Sequence, residues 1–307
     1  MQDKVEPHEP ELDPPFEVAG PARPSTPLVF SSPHSGNVYP RRFLAATRLD
    51  LAVLRRAEDA YVDALFAGAA ALGAPLIKAR FPRAYLDLNR EPYELDPRMF
   101  EGRLPPYANT RSLRVAGGLG TIARIAGQSQ EIYSGRVPVE EAITRIEKLY
   151  KPYHACLHEL MEAARRIFGI AVLVDCHSMP SGITRTGSAL LNPAGETHRR
   201  PDIVLGDRYG SSCAGALVEA LEEALRGCGY TVQRNRPYAG GYITEHYGRP
   251  AKGFHAIQIE VSRALYMDEW AIEKNNRFAQ VASDLAKAAG ALADALGRRG
   301  RHSAAAE

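Results

Sequence analysis

Short apolar runs that end in small or polar residues alternate along this chain with longer stretches of helical spacing. The clearest run is residues 170–174, Ile-Ala-Val-Leu-Val, which passes into Asp175-Cys-His-Ser-Met-Pro-Ser181. A β-branched run without polar interruption reads as a strand buried on both faces, of the kind found inside a parallel sheet. Further strands are expected over residues 27–31, 75–79, 84–90, 203–205 and 230–233, and over 255–263, where apolar and polar residues alternate. Helical spacing predicts residues 50–72, 137–167 with an interruption at Pro152, 213–225 and 268–296. Strands alternating with helices give an α/β fold, a mainly parallel or mixed central sheet flanked by helices.

The intervals between these elements complete the layout. Residues 1–25 are rich in Glu, Asp and Pro and read as a disordered or extended leader, and residues 297–307 as a flexible tail. A single catalytic domain is expected between them, over residues 26–296. Residues 91–120 form a Pro- and Gly-rich loop or lid, and residues 182–201 and 235–253 are further loops. The net charge of +2 and the absence of a basic–aromatic stripe argue against a nucleic-acid partner. No apolar stretch has the length to cross a bilayer, and the first residues lack a basic-then-apolar signal, so no membrane partner is expected. The four cysteines form no CxxC pair and are expected as free thiols in a reducing cytoplasm. Monomer and small homo-oligomer both remain open.

Open α/β sheets bind ligands at the carboxyl ends of their strands, so the residues just after each apolar run are the first candidates for a site. His177 stands there, able to offer a ring nitrogen to a metal while a neighbouring carboxylate fixes its tautomer, or else to cap a polar strand end. His34 lies in Ser32-Pro-His-Ser-Gly36, as a ligand or as a hydrogen-bonding loop residue. Asn89 and Arg90 offer a clamp for an acidic substrate, the alternative being an Asp87–arginine pair that fixes a loop. Arg185 is a candidate second anion contact. Glu260, between Ile259 and Val261 on a strand, must pair with a cation or be functional. Glu58 and Asp59 read as a solvated helix face or as partners of Arg55 or Arg56. His154 and His158 share a helix face without the glutamate of HExxH, which favours a packing or surface role. Two histidines at separate strand ends with a late glutamate point to one catalytic zinc ion per chain, held by three protein ligands with a position left open. Glu260 suits the general base, and Arg83 the group that polarises the carbonyl or stabilises the oxyanion.

Five motifs in order, Ser32-Pro-His-Ser-Gly36, Asp87-Leu-Asn-Arg90, Asp175-Cys-His-Ser-Met-Pro180, Gly240-Gly-Tyr-Ile-Thr244 and Gln258-Ile-Glu-Val-Ser-Arg263, resemble the N-formylglutamate amidohydrolase family. The resemblance extends over about residues 26–290 and includes Ala264-Leu-Tyr-Met-Asp268. It implies a fold similar to zinc carboxypeptidases and to aspartoacylases and succinylglutamate desuccinylases. It implies zinc held by His34, an acidic residue and His177, a clamp on Arg83, Asn89 and Arg90, and Glu260 as general base. The relatives' HxxE acid is missing, because Asn37 stands there; Asp59 is the preferred substitute over Glu58, in Arg55-Arg-Ala-Glu-Asp-Ala-Tyr61. The implied reaction is hydrolysis of N-formyl-L-glutamate to formate and L-glutamate in histidine degradation, with Arg90 and either Arg185 or Arg263 as anchors for a small acidic N-acyl amino acid. Deacylation of another N-acyl amino acid, or carboxypeptidase-like hydrolysis, is the alternative. Ser35 or Ser178 as nucleophile lacks a GxSxG elbow. The missing HxxE acid also leaves room for a catalytically degenerate binder of acidic amino acids.

Overall fold

A computed structural model of the chain describes residues 9–21, 23–126, 130–182 and 201–304. It groups the chain into two compact units, one of Met1–Val18, Pro33–Ala60 and Ile77–Glu159, the other of Ala19–Ser32, Tyr61–Leu76 and Leu160–Glu307. The strands are β1 (Phe16–Ala19), β2 (Leu28–Ser32), β3 (Leu76–Ala79), β4 (Ala171–Met179), β5 (Ile203–Gly206), β6 (Val232–Arg234) and β7 (Phe254–Ser262). They form one seven-stranded sheet of order β1-β3-β2-β4-β7-β5-β6. β2 and β7 both run parallel to β4, and β5 pairs antiparallel with β7 and parallel with β6. The expected α/β fold with a mixed sheet is the observed one. Phe16–Ala19, inside the segment expected to be a leader, is a strand of that sheet.

The larger unit is built on β4, whose nine residues are all buried, as its apolar run requires. β7 is buried at every residue after Phe254. Its alternation therefore separates a polar face from an apolar one inside the protein. Helices α5 (Gly215–Gly227) and α7 (Phe278–Ala304) pack on each other. The last helix begins ten residues later than expected at 268, because Asp268 Oδ1 accepts from the backbone N–H groups of Trp270 and Ala271 in a side-chain-closed turn. Residues 235–253, expected as loop, contain a short helix α6 (Tyr242–Tyr247) packed on β4 and β7. No described helix is long and apolar enough to cross a membrane, and the four cysteines are free thiols.

The smaller unit is organised by a buried cation. Helix α3 (Val139–Arg145) passes through a π-helical turn, Ile146–Tyr150, into α4 (Lys151–Phe168). The interruption expected at Pro152 thus falls just before it, where a wider turn relieves the missing N–H and the ring clash. Arg145 ends α3 with 2% of its surface exposed. Its guanidinium lies 3.8 Å from the Tyr85 ring centroid, and Nη1 donates to the Tyr85 carbonyl at 3.1 Å and to the Tyr133 hydroxyl at 2.7 Å. Nη2 pairs with Glu141 one turn earlier. These contacts clamp the turn at residues 82–86, which is closed by Tyr85 and Leu86 N–H groups on the Pro82 carbonyl. Replacing Arg145 with Met strands the Tyr85 carbonyl and Tyr133 hydroxyl and removes the cation–π stack. The expected loss of stability is about 3 kcal/mol, read from the midpoint of a urea unfolding curve.

Candidate metal centre

In the smaller unit the chain leaves β2 into the loop that carries His34. Gly36 lets this loop lie directly on another stretch of backbone, since a Cβ there would sit 2.2 Å from the Phe81 carbonyl oxygen and 2.6 Å from the Arg80 carbonyl carbon. The Val38 N–H closes the contact on the Arg80 carbonyl at 2.9 Å. His34 is thereby set beside the next turn, and its Nε2 meets Asp87 Oδ1 at 2.7 Å.

Residues 84–90, expected as a strand, are turns. Asp87 Oδ1 also accepts from the Asn89 N–H at 2.8 Å, an Asx-type bond that competes with extended pairing. Its other oxygen takes Arg83 Nη2 at 2.9 Å and faces Arg90 Nη2 at 3.8 Å. Burial alone would push the Asp87 carboxyl up, but the charges of His34, Arg90 and Arg83 outweigh it and hold the group well below the usual carboxylate range. Asp87 is an anion that can only accept, so Nε2 of His34 donates to it, and Nδ1 is the ring atom turned to Asp59. Arg90 further donates to the carbonyls of Leu119 and Asn89, at 2.9 and 2.8 Å.

The single helix expected over residues 50–72 is broken. Helical turns cover α1 (Leu51–Arg55), α2 (Val62–Leu65) and, as a 3-10 helix, Ala67–Leu72. The reason is a competing backbone bond: Asp59 N–H donates to the His34 carbonyl at 3.0 Å instead of to the preceding turn. The break buries both acids and gives them different partners. Asp59 Oδ2 lies 3.5 Å from His34 Nδ1. Glu58 is held by the Tyr39 hydroxyl at 2.7 Å and Arg55 Nε at 3.3 Å.

In the larger unit, the parallel register of β4 and β7 sets Asp175 opposite Gln258 and His177 opposite Glu260. With a period of two, these four polar side chains share one face of two neighbouring strands, and Cys176, Ile257, Ile259 and Val261 take the other. His177 Nε2 lies 3.0 Å from Asp175 Oδ2, close in distance but without the hydrogen-bond geometry that joins His34 to Asp87. Gln258 Nε2 donates to Glu260 Oε1 at 2.8 Å. Arg263, in the 3-10 turn after β7, donates from Nε to the Ser178 hydroxyl at 3.2 Å.

The ligand-capable atoms of His34, Asp59 and His177 lie within 4.8 Å of one another, and all three side chains are buried. Two imidazoles and a carboxylate are a donor set of catalytic zinc, with a coordination position left over. Each imidazole has a carboxylate at Nε2, the arrangement that fixes a metal-ligating ring. The residues fit a divalent ion of this kind. Of the other residues singled out from the sequence, Arg83, Asn89 and Arg90 surround Asp87, Glu260 neighbours His177 in register, and Arg263 touches Ser178. Arg185 lies outside the described residues. His154 Nε2 donates to the Leu88 carbonyl at 3.0 Å, in keeping with the packing role read for it. Sequence reasoning gave no role to Gln258 and treated Asp87 as at most a partner of arginine. Asp175 was legible as the acid two residues before His177 on the same strand face, but Asp87 is remote from His34 in sequence and gave no such signal.

A profile of the N-formylglutamate amidohydrolase family matches residues 26–267. The N-formylglutamate deformylase of Pseudomonas putida is 32% identical over 248 residues, spanning 79% of this chain and 82% of its own length. That of Pseudomonas aeruginosa is 30% identical over 261 residues, spanning 83% and 87%. The crystal structure of N-formylglutamate amidohydrolase from Ralstonia eutropha JMP134 superposes with a TM-score of 0.84 at 37% identity, covering 92% of this chain and 99% of that one. The gene product Atu2144 of Agrobacterium tumefaciens shares the fold, with a TM-score of 0.59 at 20% identity, covering 91% and 95%.

Asp87→Asn keeps the shape of the side chain but turns an amide toward Arg83 or toward His34 and removes the anion. Metal affinity of the purified protein, measured by competition with a chromophoric chelator, is expected to fall about 10–100-fold. Unchanged affinity would show that the carboxylate serves the loop alone.

Proposed function

The chain belongs to the N-formylglutamate amidohydrolase family, hydrolases of an amide bond, and we propose that it hydrolyses N-formyl-L-glutamate to formate and L-glutamate with one zinc ion held by His34, Asp59 and His177. The observation that carries the metal assignment is the buried His34–Asp59–His177 cluster. The names of the relatives support the substrate. In the cell the reaction belongs to histidine degradation in the cytoplasm, where four free thiols are at home.

A zinc ion in this donor set supplies Lewis acidity toward water and toward the formyl carbonyl. The rest is the work of the chain. Asp87 holds the His34 imidazole through Nε2 and leaves Nδ1 for ligation, and Asp175 stands beside Nε2 of His177 on the same strand face. Glu260 takes a proton from the water as its oxygen bonds to the formyl carbon. The same proton passes to the amide nitrogen as the C–N bond breaks, so that an amine rather than an amide anion leaves. Arg83 stabilises the oxyanion that develops on the formyl oxygen. Arg90, Arg263 and Asn89 anchor the two substrate carboxylates, and Arg185 is assigned the same role. An acidic substrate in a buried site needs such cations, because burying a carboxylate without a partner is prohibitive.

Zinc content and formate release decide the reading together. About one zinc per chain is expected, with activity lost on chelation and restored by zinc. Formate release that survives removal of the metal would overturn the zinc assignment, and bound zinc without formate release would overturn the substrate. Glu260→Gln is expected to lower kcat by at least about 100-fold with little change in zinc content. Near-normal turnover in that variant would remove Glu260 from the base role.

A further inference from the structure

The side chain at 258 has a geometry that exceeds what a buried strand residue needs. Gln258 is 4% exposed and stands two residues before Glu260 on the same strand face. Its Nε2 donates to Glu260 Oε1 at 2.8 Å, and its Oε1 accepts from the Gly241 N–H at 3.0 Å. The two neighbours fix the amide's orientation without ambiguity, since an ionised carboxylate only accepts and a backbone N–H only donates. Gly241 is itself held. β5 ends at Gly206, the antiparallel partner of Gln258, and a Cβ on Gly206 would lie 2.7 Å from Gly240 N and 2.8 Å from the Ala239 carbonyl carbon. Only a glycine there lets residues 239–241 cross against the strand. The Arg208 N–H then ties the crossing down on the Ala239 carbonyl at 2.8 Å, and Arg208 Nη1 adds a bond to the Gly240 carbonyl at 3.4 Å.

We propose that Gln258 is a positioning residue for Glu260, and that residues 239–241 serve as its fixed anchor. This rests on Glu260 acting as the base in the proposed reaction. Oε1 of Glu260 is engaged by the amide, so the orientation of the carboxylate plane is set by Gln258. The Gly240-Gly241 pair and Gly206, which have no catalytic chemistry of their own, thereby act on the base through one side chain. A carboxylate free to rotate by a rotamer would misplace its oxygen by more than about 1 Å, enough to cost about 100-fold in rate.

Gln258→Met has similar length and makes neither hydrogen bond. It is expected to lower kcat for formate release from N-formyl-L-glutamate roughly 10–100-fold while KM stays within about threefold, the split produced by loss of an interaction used in the transition state. Zinc content and melting temperature are expected to stay near those of the unsubstituted protein. Gly206→Ala keeps both side chains but pushes the anchor away, and its kcat is expected to fall between the two. Unchanged kcat in Gln258→Met overturns the proposal. So does a loss matched by loss of zinc or of fold, with Gly206→Ala turning over at the full rate. Crystal structures of the unsubstituted protein and of Gln258→Met supply a readout that needs no activity: the Glu260 carboxylate is expected to turn or to divide between rotamers in the variant. An unmoved carboxylate overturns the positioning role. If the unsubstituted protein releases no formate, the substrate reading fails by itself and the crystallographic comparison still decides the role of Gln258.

Discussion

A histidine that is to serve a metal from inside a protein must be kept neutral, in one tautomer and at one angle, and solvent cannot do this for it. In this structure a buried carboxylate stands beside each of two buried imidazoles. In the smaller unit Asp87 binds Nε2 of His34, and in the larger one Asp175 faces Nε2 of His177. Each carboxylate is buried and so brings its own demand for compensation. Asp87 meets it with Arg83, Arg90 and the Asn89 N–H, which fixes the turn at residues 83–90. Arg145, one step further out, stacks on Tyr85 and bonds its carbonyl within that turn. The demand for a partner thus propagates from the ring nitrogen, through the turn, to an arginine on a helix.

How much of this was legible in the sequence depends on whether the controlling interaction was local. The run ending at Val174 and the alternation through Glu260 are backbone-periodic signals, and the strands they announced are present, with their polar residues on one face. His34 and His177 stood out because each follows an apolar run within a few residues, although each also had a plain hydrogen-bonding reading. The break between Arg55 and Val62 was not visible. Residues 50–72 keep helical spacing, and what stops the helix is one backbone bond from Asp59 to the carbonyl of His34, a partner supplied by tertiary structure. Residues 84–90 failed for a different reason, since an Asx-type bond from Asp87 to Asn89 overrode an apolar pattern that would otherwise suit a strand. Helix α6 is short and flanked by glycines, which made its segment read as loop.

Two glycines, Gly36 within a motif and Gly206 outside any, show why residues without functional groups belong to the candidate site. Gly36 and Gly206 stand where one stretch of backbone lies against another at a distance that excludes a Cβ. The first contact sets the His34 loop on residues 80–81, just ahead of Arg83 and Asp87. The second sets residues 239–241 on the end of β5, within reach of Gln258. Contacts between backbones carry less conformational freedom than contacts between long side chains, so they position a group more tightly for the same number of hydrogen bonds.

Asn37 stands where the HxxE pattern of the family resemblance has its acid, and the acid that lies beside His34 in this structure is Asp59. A glutamate three residues after His34 would be positioned by the loop alone. Asp59 is positioned instead by its own N–H on the His34 carbonyl, so the acid and the histidine are joined through backbone as well as through side chains. That bond exists only if the helix stops at Arg55, and the stop is stabilised by Glu58, whose carboxylate is occupied by Tyr39 and Arg55. The two adjacent acids therefore have separate roles, with Glu58 anchoring the irregular segment and Asp59 facing the imidazole.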